Sequence, residues 1–209
     1  MKIFLASTNI TTELQPHFLD LVGKKFTDIK FALIENAADP YPEEKKGFVL
    51  ETRAAFDALA MKLEKIDLRE YGTQKNNIYD KLKEFDVIWL GGGNVFYLSW
   101  ILKESGFDKA VTKLVNNGIV YGGGSAGAII AGPTLDKYDL VDDASKSPEP
   151  IKKTLGLVDL ILIPHWGYEK YQAKLQEIKD YYDKTEQQVV TISDQEAVLM
   201  DGDKWKVYP

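Results

Sequence analysis

A serine stands among glycines and an alanine in Gly123-Gly124-Ser125-Ala126-Gly127, the pattern of a nucleophile held at the tip of a tight turn. A hydroxyl becomes a useful nucleophile when a base takes its proton and a third group orients that base. Two histidines are available, His17 and His165. His17 lies in an amphipathic stretch remote from any strand end, where a surface or packing role accounts for it. His165 follows the apolar run Leu157–Ile163 and sits beside Pro164, Trp166 and Gly167. It is the candidate general base, with a hydrogen-bonded structural histidine as the alternative. For the third member, Asp194 stands where the run Val189–Ile192 emerges. Glu196, Asp139, Asp142 and Asp143 compete with it, because an aspartate ending a strand is often only a turn former.

A second glycine run, Gly91-Gly92-Gly93-Asn94, follows the apolar stretch Asp86–Leu90. Glycines leave backbone N–H groups uncovered, and one of these is a candidate to join that of Ala126 in holding an oxyanion. A tight turn packed under the serine is the structural alternative. The serine turn itself has a competing reading as a phosphate-binding or purely structural turn. A Walker A loop is excluded, since no Gly-Lys-Ser/Thr follows the glycines.

The elements that must position these residues read as alternating strands and helices. Strands are expected at Lys2–Ala6, Asp28–Ile34, Ile66–Leu68, Asp86–Leu90, Ile119–Tyr121, Leu157–Ile163 and Gln187–Ile192, with a closing hairpin over Glu196–Tyr208. Helical spacing marks Thr11–Val22, Phe48–Leu63, Asn77–Phe85, the stretch from Phe96 to Gly106, Phe107–Val115, the residues after Ser125 and Tyr168–Tyr182. Several strands are apolar throughout, which places them in a parallel sheet covered on both faces. The fold class is therefore α/β, a mostly parallel sheet flanked by helices on both faces. No repeat or linker divides the chain, so one domain over 1–209 is expected. Ligands bind such sheets at the carboxyl ends of the strands, where Gly91–Asn94, Gly122–Gly127, His165 and Asp194 all fall. The polar segment Asp136–Pro150 reads as a solvated surface loop rather than a lid.

Composition narrows the function classes. The 209 residues carry a net charge of −6, which argues against nucleic acid or an anionic membrane as the main partner. There is no cysteine, so disulfides, thiolate metal sites and a cysteine nucleophile are all excluded. The amino terminus is apolar for too few residues to form a signal-peptide core or a membrane span. A cytoplasmic protein is the expectation.

The order Ser, His, Asp differs from the Ser, acid, His order of α/β-hydrolases and disfavours that fold. Together, three linked motifs resemble the peptidase E family of serine peptidases, which includes aspartyl dipeptidase and has cyanophycinase as a relative. They are Leu90-Gly91-Gly92-Gly93-Asn94-Val95-Phe96, Gly124-Ser125-Ala126-Gly127-Ala128 with Ala131-Gly132-Pro133-Thr134, and Ile163-Pro164-His165. The resemblance implies a class I glutamine-amidotransferase-like sandwich of flavodoxin-like layering in which serine replaces the superfamily's cysteine. It implies Ser125 as nucleophile, His165 as general base, and Gly92, Gly93 and Ala126 as the oxyanion hole. The family's acid, often Glu, sits on the strand after the histidine, where this chain has Asp194. A second family assignment places an aspartate near Asp139–Leu140. The implied activity is hydrolysis of short peptides, with no cofactor or metal; another amide or ester hydrolase, or a non-catalytic binding protein, are the alternatives. The family's aspartyl dipeptidases use an arginine after the histidine to recognise an acidic side chain. Between His165 and Asp194 this chain has only lysines, including Lys170 and Lys174, and a lysine lacks the bidentate fork.

Overall fold

Apolar runs without polar alternation belong to strands covered on both faces, and the computed structural model, which describes residues 1–72, 76–149 and 151–209, places them so. In chain order the elements are β1 (Lys2–Ala6), α1 (Gln15–Val22), β2 (Lys30–Ile34), α2 (Gly47–Ala58), β3 (Lys62–Lys65), α3 (Ile78–Leu82), β4 (Val87–Leu90), α4 (Val95–Ser105) and α5 (Phe107–Asn116). There follow β5 (Val120–Gly124), α6 (Ala126–Ile129), β6 (Ile161–Ile163), α7 (Glu169–Tyr182), β7 (Val189–Thr191), β8 (Ala197–Asp201) and β9 (Lys204–Tyr208). Seven strands form one sheet in the order β3-β2-β4-β5-β1-β8-β9. The first five of that order are parallel, and the β8–β9 hairpin joins antiparallel beside β1.

Successive side chains of a strand point to opposite faces, and the central strands divide accordingly. Leu5, Ile34, Leu90 and Tyr121 face one core, shared with Leu98 of α4, Val111 of α5, Leu162 of β6 and Ile178 of α7. Phe4, Leu33 and Trp89 face the other, shared with Phe18 of α1 and Phe56 of α2. The result is a three-layer α/β sandwich.

The pairing register brings the site together. Ala6 of β1 pairs with Gly124 of β5, and Leu90 of β4 with Gly123. β1 and β5 therefore end level and β4 one residue earlier, so that Ser7, Gly91 and Ser125 emerge at the same edge. β6 and β7 pair in parallel as a small separate sheet, with Ile163 opposite Thr191. Their ends are held together by the Trp166 N–H donating to the Ile192 carbonyl at 3.0 Å.

Several expectations shift. The third strand is Lys62–Lys65, not Ile66–Leu68; it lies at the sheet edge, where charged residues serve as well as apolar ones. The helix expected over Phe48–Leu63 ends at Ala58, because the chain turns through Ala60 at φ 56° to enter β3. Of Leu157–Ile163 only the last three residues are strand; Leu157 and Val158 instead donate to the Ala131 carbonyl behind the serine turn. The helix after Ser125 has only four residues. Asp136–Pro150 is not a simply solvated loop, although Pro150 itself lies outside the described residues. Tyr138 is fully buried and its hydroxyl donates to the Leu162 carbonyl at 2.6 Å. Among the described residues no helix is long and apolar enough to cross a membrane.

Candidate active site

β5 ends in Gly122-Gly123-Gly124 and α6 starts at Ala126, which leaves Ser125 at the corner with φ 50° and ψ −110°. That conformation is costly for a residue with a Cβ and persists only where surroundings over-determine it. Here they do. The Ser125 N–H donates to the Ala6 carbonyl at 3.1 Å, and the Ser125 carbonyl accepts from Ala128 and Ile129, both at 2.9 Å. The corner closes tightly on the end of β4: a Cβ on Gly127 would strike the Leu90 carbonyl.

His165 leaves β6 with φ 60°, and its ring lies between Ser125 and Asp194. Nε2 is 2.9 Å from Ser125 Oγ, and Nδ1 is 2.7 Å from Asp194 Oδ1. An ionised carboxylate only accepts, so it selects the tautomer with a proton on Nδ1. Nε2 is then free to accept the proton of Ser125. The imidazole is 26% exposed and Asp194 41%, so the site opens to solvent while its hydrogen bonds stay internal.

Gly92 faces the serine; a Cβ there would lie 3.3 Å from Ser125 Cβ. Gly93, at φ 146°, turns its Cα onto the Ala37 carbonyl and leaves no room for a side chain. Among the described residues, the backbone N–H groups of Gly92, Gly93 and Ala126 donate to no backbone carbonyl. Asn94 caps α4 directly after these glycines. Its Oδ1 accepts the Tyr97 N–H at 2.9 Å and its Nδ2 donates to the Asp143 carbonyl at 2.9 Å. Asp142 completes this cap by accepting the Val95 N–H at 2.8 Å. Burial pushes its carboxyl up to about 6, against the opposing effect of the Val95 N–H. Tyr41, beside Asp142 and Asn94, is raised to about 12, chiefly by burial. Aromatic residues border the site: Tyr171 has its ring centroid 6.4 Å from that of His165, and Tyr168 packs on Tyr171 at 5.4 Å.

Of the residues singled out in the sequence, Ser125, His165 and Asp194 come together, with Gly92 and Ala126 next to the serine. The competing carboxylates go elsewhere. Glu196 accepts the Ser193 N–H at 2.7 Å and steadies the turn that carries Asp194. Asp139 is exposed in the short turn Tyr138–Leu140. Asp142 caps α4, and Asp143 bonds Ser145. His17 packs against Tyr208 with the rings tilted and their centroids 4.2 Å apart. Sequence reasoning missed Ser7, whose buried hydroxyl is 2.6 Å from Asp194 Oδ1 and 3.2 Å from His165 Nδ1. The available signal was its place at the carboxyl end of β1, level with Ser125. Among the described residues no group of three His, Cys, Asp or Glu is placed to hold a metal ion.

The chain is similar over nearly its whole length to known proteins. The model of peptidase family S51 matches residues 3–208. An uncharacterized peptidase of Pasteurella multocida is 29% identical over 203 residues, 97% of this chain and 94% of that one. A peptidase E of Streptomyces coelicolor is 28% identical over 130 residues, 59% of this chain and 52% of its own. The crystal structure of a proposed peptidase E protein from Listeria monocytogenes superposes with a TM-score of 0.83 at 27% identity, covering 99% of this chain and 97% of that one.

Proposed function

Because this chain belongs to peptidase family S51 and is a peptidase, we propose that it hydrolyses short peptides through an acyl-enzyme on Ser125. The observation that carries this reading is the continuous relay from Ser125 Oγ to His165 Nε2 at 2.9 Å and from Nδ1 to Asp194 at 2.7 Å. Ser125 Oγ attacks the scissile carbonyl carbon while its proton passes to Nε2. The carbonyl oxygen, now negative, is held by the N–H of Ala126 and one from Gly92–Gly93. As the C–N bond breaks, the imidazolium returns the proton to the leaving amine. Water then attacks the ester carbonyl and gives its proton to Nε2; as the bond from the acyl carbon to Oγ breaks, the imidazolium passes that proton to Oγ, which restores Ser125 and releases the acid product. Asp194 stabilises the imidazolium throughout and stays ionised.

Short substrates are what the resemblance to the peptidase E family implies for this chain. A preference for acidic side chains is not supported. Arg53 and Arg69 pair with Glu35 and Asp67, each at 2.6 Å, and no arginine lies between His165 and Asp194. Lys170, with its Nζ 5.2 Å from the Tyr171 ring centroid, offers an acidic substrate only a point charge. The cysteine-free composition suits work in the cytoplasm.

The reading is tested with a fluorophosphonate probe and a panel of short peptides and simple esters. Ser125 is expected to take the label, and peptides to turn over faster than esters. Ser125→Ala is expected to lose both the label and at least about a thousandfold of kcat while keeping the same thermal transition. Undiminished turnover in that variant would sink the mechanism.

A further inference from the structure

We propose that Ser7 is a positioning residue of this site, one that joins Asp194 to His165 and sets how much carboxylate charge reaches the imidazole. The proposal rests on the hydrolytic reading above and deepens it. Ser7 stands one residue past β1 and is fully buried. Its hydroxyl donates to Asp194 Oδ1 at 2.6 Å, the same oxygen that lies 2.7 Å from His165 Nδ1. The hydroxyl oxygen in turn accepts the backbone N–H of His165 at 2.8 Å. One buried hydroxyl thus binds both the main chain of the base and the side chain of the acid.

Two consequences follow from the inventory of protons. A hydroxyl has a single hydrogen, and here it is committed to Asp194. Ser7 therefore has none to offer Nδ1 at 3.2 Å, and a bare Nδ1 would face lone pairs from both Ser7 and Asp194. The arrangement reinforces the tautomer that leaves Nε2 open to Ser125. Second, His165 has φ 60°, a conformation held only by contacts that over-determine it, and the bond from its N–H to Ser7 is one of them. Neighbouring Thr8 adds a further hold, its hydroxyl donating to the Asp194 carbonyl at 3.3 Å.

The O–H given to Oδ1 also takes up part of the carboxylate's charge. Removing it leaves more of that charge to stabilise the imidazolium, so the base is blocked by a proton at higher pH. Of the nearby titratable groups, Tyr171 of α7 has its ring centroid 6.4 Å from that of His165, and Glu196, in the turn after β7, bonds the Ser193 N–H. Neither is bonded to Oδ1 among the described residues.

The test compares Ser7→Ala and Ser7→Cys with the unaltered chain, in peptide turnover and in the rate of fluorophosphonate labelling across acid and neutral pH. For Ser7→Ala the expected result is a fall in kcat of about tenfold to a hundredfold, from misplaced groups, with little change in KM. The acid limb of the rate profile is expected to move to higher pH. Ser7→Cys keeps the side chain's shape with a slightly larger atom but supplies only a weak donor, and it is expected to show the same changes to a lesser degree. It decides the matter should Ser7→Ala fail to fold. A folded variant with unaltered kcat and pH profile overturns the assignment while leaving the role of Ser125 intact. So does a kcat loss with no movement of the acid limb. An unaltered chain that takes no label overturns the hydrolytic reading itself, and this assignment with it.

Discussion

Asp194 Oδ1 takes two hydrogen bonds, at 2.6 Å from Ser7 and 2.7 Å from His165 Nδ1, and such charge-assisted contacts are stronger than neutral ones. The acid therefore works through acceptance alone, and an isosteric amide is a sharp probe of it. With Asp194→Asn, the amide oxygen can hold the place of Oδ1 and accept from Ser7 and Nδ1, but the negative charge that stabilises the imidazolium is gone. An NH2 turned toward the ring instead would force the imidazole proton to Nε2, where the nitrogen can no longer take one from Ser125. The expected loss is about a thousandfold to ten-thousandfold in kcat. Thermal stability should change little, since the Asp194 side chain is 41% exposed. Steady-state kinetics beside a melting curve checks this, and a loss below about tenfold would show that another group orients His165.

At the scale of elements, the N-terminus of α4 matters most, because it follows Gly92 and Gly93 without a break. Asn94 and Asp142 cap it and tie it to the segment after α6. The Asp142 carboxyl sits at about 6 in the fold, against an ordinary value of 3.8, chiefly through burial. The folded state therefore binds that proton more tightly than the unfolded chain. Stability from this site is fully present below about pH 4 and is lost as pH rises through about 6. Asp142→Asn removes the charge and retains an acceptor for Val95. It is expected to be more stable than the unaltered chain at neutral pH by about 1–2 kcal/mol, less than the full shift would give because the site is partly open to solvent. That gain should vanish near pH 4. Urea unfolding at the two pH values measures it, and an equal effect at both would refute the account.

For the whole molecule, one sheet separates two cores, and the second of them is built on aromatic packing. Phe56 of α2 is fully buried, with its ring centroid 4.9 Å from Phe31 and 5.0 Å from Trp89. Phe56→Ala leaves a cavity in that layer and is expected to cost about 3–5 kcal/mol. The sheet is shared by both layers, so urea unfolding should remain a single transition, shifted to lower denaturant. Two resolved transitions would show that the layers unfold separately. The site lies at the carboxyl ends of the same strands and should keep its activity wherever the variant remains folded.

The sequence alone determined the features that local sterics and periodicity encode. Uninterrupted apolar runs marked β1, β4 and β6, and the glycines around Ser125 marked a corner that admits no side chains. The same steric signal at Gly91–Gly93 and the isolation of His165 after an apolar run made most of the site legible. Only the tertiary structure decided which carboxylate meets His165, because Asp194 and Glu196 stand two residues apart just past the same strand. It also separated β6 and β7 from the main sheet, revealed that the segment after α6 is pinned by buried Tyr138, and brought Ser7 to Asp194 from 187 residues away. Periodicity reports which face of an element is buried, whereas a hydrogen bond between distant segments depends on strand order and register, which no single stretch of chain contains.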